Sequence, residues 1–124
     1  MYYYSLGSQI YCAPTVDDRP TWMPSMIHIA VEGRCFVLSA CQYATEKDYP
    51  QGHATAPDKI IISGGSLIVS PFGTVLAGPS RKAEEILTAE LDLDDVTRGK
   101  FDLDTVGHYA RPDGKWSVRC FGRD

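Results

Sequence analysis

The residues of this 124-residue chain whose types could do chemistry are four cysteines, three histidines and the charged neighbours Glu32 and Arg34. A cysteine nucleophile needs its thiolate favoured by a positioned base or a helix N-terminus. Cys12 precedes Ala13-Pro14-Thr15 at a strand end. Cys35 follows a helix C-terminus, whose negative partial charge opposes a thiolate. Cys41 falls within or just after a strand, and Cys120 lies in the tail. None of the first three stands at a strand-to-helix elbow, where nucleophiles are presented. The cysteines form no CxxC pair and His28, His53 and His108 are far apart, so no zinc-ligand spacing exists. Glu32 and Arg34, at a helix end, suit a solvated or structural pair. The stretch SGGS at 63–66 lacks the lysine and the following helix of a phosphate loop. No catalytic constellation closes. The cysteines read as small apolar residues, free in a reducing compartment.

The elements that position these residues follow from periodicity. SQIYCAP at 8–14 is an apolar run closed by Pro14, which predicts a buried strand. A helix is expected from Trp22 to Glu32, capped by Thr21, with Pro24 in its first turn and Gly33 just past its end. At about 100° per residue, Trp22, Met23, Met26, Ile27, Ile29, Ala30 and Val31 spread over half its circumference, wider than an ordinary surface helix. CFVLSA at 35–40 predicts a strand. Residues 42–59 are polar and turn-rich, a long loop that is either a lid or a plain connector. Residues 60–78 read as strand, glycine break, strand, turn and strand, with Ser70–Gly73 suited to a type I turn. AEEILTAELDL at 83–93 alternates like a further strand. Asp92 and Asp95 suggest a capping box opening a short helix through Lys100.

At 44% hydrophobic and 23% charged residues, the chain is globular. Its net charge of −4 with scattered cations argues against nucleic acid as a partner. No apolar stretch of about 18 residues predicts a membrane span, and the N-terminus lacks the basic and apolar regions of a secretory signal. Strands such as 36–39 and 60–62 are apolar on both faces, as in a sheet covered on both sides. One good helix and one short one cannot cover two faces of five strands. Either this surface meets a partner, or the chain lacks its other half.

The stretches IYCAPT (10–15), TW and HIAVEGRCFVLSACQY (within 21–43), GGSLIVSPFGTVLAGP (64–79) and ILTAELDLDDVTRGKFDLDTVGHYARPD (86–113) resemble the C-terminal half of a microbial or plant-type nitrilase, a branch of the carbon–nitrogen hydrolase superfamily. The resemblance implies an α/β fold, namely the C-terminal half of a four-layer αββα sandwich. It implies hydrolysis of a small-molecule nitrile to a carboxylic acid and ammonia through a cysteine thioimidate and thioester, without metal or organic cofactor. The family's catalytic glutamate, lysine and cysteine have no counterpart, for no CWE occurs. By the same resemblance, Cys12, Ala13, Pro14 and Thr15 form a pocket wall. Trp22, Met23, Met26, Ile27 and Ala30 belong to an oligomer interface.

MYYYSLGS departs from the family pattern, and the loop at 44–59 looks shortened. Residues 1–113 are accordingly expected to form a partial nitrilase domain and 114–124 a divergent tail. The expected protein is cytoplasmic, a fragment inactive alone. The alternatives are an interaction module that self-associates or pairs with an N-terminal half, and a thiol enzyme using Cys12 or Cys41. Bared sheet surface would make the isolated chain poorly soluble, oligomeric or molten.

Overall fold

The computed structural model describes residues 1–50, 56–81 and 83–111. In chain order the elements are α1 (Tyr2–Ser5), β1 (Ile10–Cys12), α2 (Trp22–Gly33), β2 (Phe36–Ser39), β3 (Tyr43–Thr45), β4 (Ile60–Ser63), β5 (Ser66–Val69), β6 (Val75–Ser80) and α3 (Asp94–Asp102), with a 3-10 turn over Glu46–Asp48. A parallel strand pair needs a long crossover, and α2 provides it. β1 lies parallel to β2, with Ile10 opposite Phe36 and Cys12 opposite Leu38. β5 and β6 extend the sheet antiparallel in the order β1-β2-β5-β6, while β3 and β4 form a separate two-stranded ribbon. In place of the expected single five-strand sheet there are a four-stranded sheet and a separate two-stranded ribbon.

The pleat sorts the sheet's residues. Val37 pairs with Tyr11 and Val69, and Ser39 with Leu67, so these share the face that α2 covers. Met26, Ala30, Cys35, Val37, Leu67 and Val69 are at most 2% exposed there. Trp22, Met23, Ile27 and Ile29 pack around them, half-buried, while Ser25 and His28 stay in water. The wide apolar arc of α2 is therefore real. The indole of Trp22 donates to Ser39 Oγ at 2.8 Å, and that hydroxyl donates to the Ala13 carbonyl at 3.0 Å.

Both ends of α2 differ from expectation. Thr21 is already helical, and its side chain makes no capping bond. The residue past the end is Arg34, in the left-handed region at φ 46°, not Gly33. Gly33 is needed one position earlier, because a Cβ there would run into the ring of Tyr4. The glycine serves close packing of α1, and the arginine takes the left-handed turn. Tyr4 in turn donates from its hydroxyl to Glu32 Oε2 at 3.3 Å.

The turn between β5 and β6 forms as expected, closed by the Gly73 amide donating to the Ser70 carbonyl at 2.9 Å. Gly73 has φ 84°, and a Cβ there would lie 2.9 Å from Val31 Cγ2, so the turn fits under α2 only as glycine.

Two expectations fail in this region of the chain. Residues 42–59 are not all loop, since Tyr43–Thr45 pairs with Ile60–Ser63 through a register shift. Residues 83–93 are not a ladder strand: among the described residues their backbone has no strand partner. Alternation survives, with Leu87, Ala89 and Leu91 half-buried and Ile86 92% exposed. Asp92 accepts from the Asp94 amide at 3.0 Å, but Asp95 turns to Arg98 at 2.6 Å instead of closing the reciprocal box. The predicted tail at 114–124 lies outside the described residues.

Candidate functional site

Strand pairing continues past β1. The Ala13 amide donates to the Leu38 carbonyl and the Thr15 amide to the Ala40 carbonyl, each at 2.9 Å, and Thr15 bridges to Cys41. Period-two alternation therefore splits the predicted wall. Ala13 is buried under α2 and does not line a surface. Pro14 and Thr15 line a cleft of about 370 Å3 with Ala40, Cys41, Gln42, Tyr43, Ser66 and Glu84. Cys12 is exposed and lies in a different hollow, of about 320 Å3, with Tyr3, Ser8, Ile10 and Tyr11.

The floor of the cleft is tied down locally. The Cys41 amide donates to Ser66 Oγ, and that hydroxyl donates to the Cys41 carbonyl, both at 3.0 Å. Behind it, Asp18 Oδ2 accepts from the Ser63 amide at 2.9 Å and the Ser63 hydroxyl at 3.0 Å. These two donors hold the Asp18 carboxyl below its usual range. Arg81 donates from Nη1 to the Asp18 carbonyl at 2.6 Å. The glycine break is required by the neighbouring strand end, since Gly64 has φ 77° and a Cβ there would lie 2.8 Å from the Ser80 carbonyl oxygen. Sequence reasoning singled out neither Asp18 nor Arg81. Nothing in either's neighbours along the chain signals a partner 63 positions away.

The cleft continues into a larger one of about 660 Å3, which shares Gln42, Tyr43, Ala83 and Glu84 with it and reaches Lys47, Asp48 and Tyr49. Its far wall is fixed by Asp48, whose carboxylate accepts from the Thr45 amide at 2.7 Å and hydroxyl at 2.8 Å. Those bonds lower the Asp48 carboxyl below its ordinary value.

No described cysteine sits where a nucleophile is made. Burial pushes the Cys35 thiol up. Burial also raises the Cys41 thiol, with the charge of Asp18 adding to it. A raised thiol is a poor source of thiolate. The sulfur of Cys12 has no hydrogen-bond partner among the described residues. Cys120 and His53 lie outside them. His28 is exposed on α2, and His108 is exposed with its ring 4.8 Å from that of Tyr109. Among the described residues no group of three or more His, Cys, Asp or Glu side chains could hold a metal ion.

Glu32 and Arg34 do not pair with each other. Arg34 reaches Asp102 at 2.7 Å while Glu32 accepts from Tyr4, because the left-handed turn at Arg34 swings its side chain away from the helix. Of the predicted interface residues, Met26 and Ala30 are spent on the chain's own sheet, at 2% and 0% exposure. Trp22, Met23 and Ile27 keep half-exposed surface.

The family model described as carbon-nitrogen hydrolase matches residues 1–101. The chain belongs to the carbon–nitrogen hydrolase family. An arylacetonitrilase of Trametes versicolor (strain FP-101664) is 66% identical over 118 residues, covering 90% of this chain and 37% of the relative. An aliphatic nitrilase of Sinorhizobium fredii (strain HH103) is 56% identical over 114 residues, covering 89% of this chain and 37% of the relative. The chain thus spans little more than a third of the length of these relatives. The crystal structure of a carbon-nitrogen hydrolase from Helicobacter pylori G27 superposes with a TM-score of 0.62 at 22% identity, over 80% of this chain and 37% of that one. That likeness concerns the fold alone. No helix among the described residues is long and apolar enough to cross a membrane.

Proposed function

We propose that this chain is the C-terminal half of a nitrilase-type hydrolase, contributing a pocket wall but not the nucleophile, and that it is inactive alone. The observation that carries this reading is the cleft where Pro14 and Thr15 meet Cys41, Gln42 and Tyr43, in a chain whose described thiols are either buried and raised or without a partner. The open face of the sheet and the unladdered segment at 83–91 support it. In a four-layer sandwich a second sheet would cover the first, and an extended segment without a ladder would gain one. The glutamate, lysine and cysteine that hydrolyse the nitrile would come from the missing portion, and the reaction would run in the cytoplasm without a cofactor.

Ammonia release from a panel of arylacetonitriles and aliphatic nitriles tests this reading. The chain alone should give none. Co-expression with a separate N-terminal half carrying those three residues should restore it. Ammonia from the chain alone, abolished by one Cys→Ser substitution, would overturn the reading.

A second reading is a non-catalytic module that self-associates through Trp22, Met23 and Ile27. The half-exposed surface of these three residues favours it. A monomer by sedimentation at all concentrations would remove it.

A further inference from the structure

Arg34 is 9% exposed, yet it carries a full charge and occupies a backbone conformation that non-glycine residues avoid. Its surroundings join three parts of the fold. Its Nη2 donates to Asp102 Oδ2 at 2.7 Å, on the last turn of α3. Its Nη1 donates weakly, at 3.4 Å, to the Pro71 carbonyl in the β5–β6 turn, and its guanidinium carbon stands 5.8 Å from the Phe72 ring centroid. Its Nε is buried with no partner. A Cβ on Gly99 would lie 3.0 Å from Arg34 Cδ, so α3 seats its glycine on the arginine's stem.

The rest of α3 contributes little. Val96 and Gly99 are its only buried residues, and it begins and ends in exposed acidic residues. An element with so few buried apolar groups opens at low cost. Asp102 is the sole carboxylate facing the buried guanidinium at ion-pair distance among the described residues.

We propose that Arg34 is a latch that holds α3 on the sheet by one charge pair, so that α3 and the turn after it detach as a unit while the sheet stays folded. Removing Asp102 leaves a buried cation uncompensated, which costs more than the pair itself contributes. The released arm includes the turn at 103–110, whose Thr105 hydroxyl donates to the Glu32 carbonyl at 3.3 Å and whose Val106 packs half-buried against the core, and both contacts detach with it.

Amide hydrogen exchange on the full chain tests the latch. Asp102→Asn, at a side chain 73% exposed, should speed exchange of the α3 amides and of the Leu103 amide by about tenfold, leaving β2 and β5 amides unchanged. Gly99→Ala should do the same, although alanine is the better helix former, because its Cβ displaces the arginine stem. Raising the salt concentration should loosen α3 in the wild type and not in Asp102→Asn. Unchanged α3 exchange in Asp102→Asn would overturn the proposal. So would equal acceleration in α3 and β2, which would make α3 part of the cooperative core.

Discussion

The two faces of the four-stranded sheet are built from the same strands and have opposite fates. Under α2, Val37, Leu67 and Val69 are at most 1% exposed, with Met26 and Ala30 closed over them. On the other face Ile10 is 44% exposed, Cys12 is exposed, and Leu38, Ile68 and Ala77 are half-buried, leaving Phe36 as the sealed member of that row. A strand with apolar residues on both sides calls for two coverings, and among the described residues one is present.

Neighbouring residues of β5 make the sharpest test. Leu67 points under α2 and Ile68 away from it. Leu67→Ala should lower stability by about 3 kcal/mol in urea unfolding, within the range for a fully buried aliphatic. Ile68→Ala should cost less than about 1 kcal/mol in the isolated chain, since that side chain already meets solvent. Equal costs would mean that the open face is covered in solution, by a second copy or by the 83–93 segment. The comparison of faces would then break.

Gly33 marks where α1 leans on the covered face. Gly33→Ala should cost about 1–3 kcal/mol, the range for overpacking, because the ring of Tyr4 must leave the site a Cβ would take. A neutral result by thermal unfolding would show that α1 is already loose. Residues 1–5 would then belong with the open face.

Much of this division was legible in the sequence. The apolar arc from Trp22 to Val31 and the two-sided strand at 36–39 together implied a covered face and a bare one. Apolar runs punctuated by the glycine break and the turn residues also located β4, β5, the Ser70–Gly73 turn and β6, because each depends on neighbours in the chain. Three things escaped. The pairing of Tyr43–Thr45 with β4 rests on a bulged register that no local pattern announces. Alternation at 83–93 predicted a strand that does not form among the described residues, because a ladder needs a partner and alternation says nothing of whether one is present. The Asp18–Ser63–Arg81 cluster behind the cleft joins residues 45 and 63 positions apart, a distance at which spacing carries no signal. Family likeness grouped Cys12, Ala13, Pro14 and Thr15 in one wall, whereas the pleat sends Ala13 into the core and leaves Cys12 in a different hollow from Pro14 and Thr15.

Alkaline titration probes the covered face at its edge. Burial, and next the charge of Glu32, push the Tyr4 phenol up from its ordinary value near 10 to about 12. The folded state therefore favours the protonated phenol. That contribution to stability is complete below about pH 10 and is lost as pH rises through about 12. Tyr4→Phe should flatten the decline in stability between those values. It should also cost about 0.5–1.5 kcal/mol at neutral pH for the lost bond to Glu32. A parallel decline in wild type and Tyr4→Phe would assign the alkaline transition to other groups.

The smallest perturbation costs no stability at all. Alkylation under native conditions, read peptide by peptide in a mass spectrometer, should label exposed Cys12 well before Cys35, which is buried at 0% exposure, and Cys41 at 5%. Thiol access controls such labelling together with thiolate content, and burial disfavours Cys35 and Cys41 on both counts. Cys12 stands on the open face beside Leu38, so its labelling rate measures whether that face is covered. Adding an N-terminal half of a nitrilase should slow Cys12 labelling without changing that of Cys35. If Cys12 stays equally reactive while the two halves bind each other, they meet elsewhere, and the bare face is a surface of the chain in its own right.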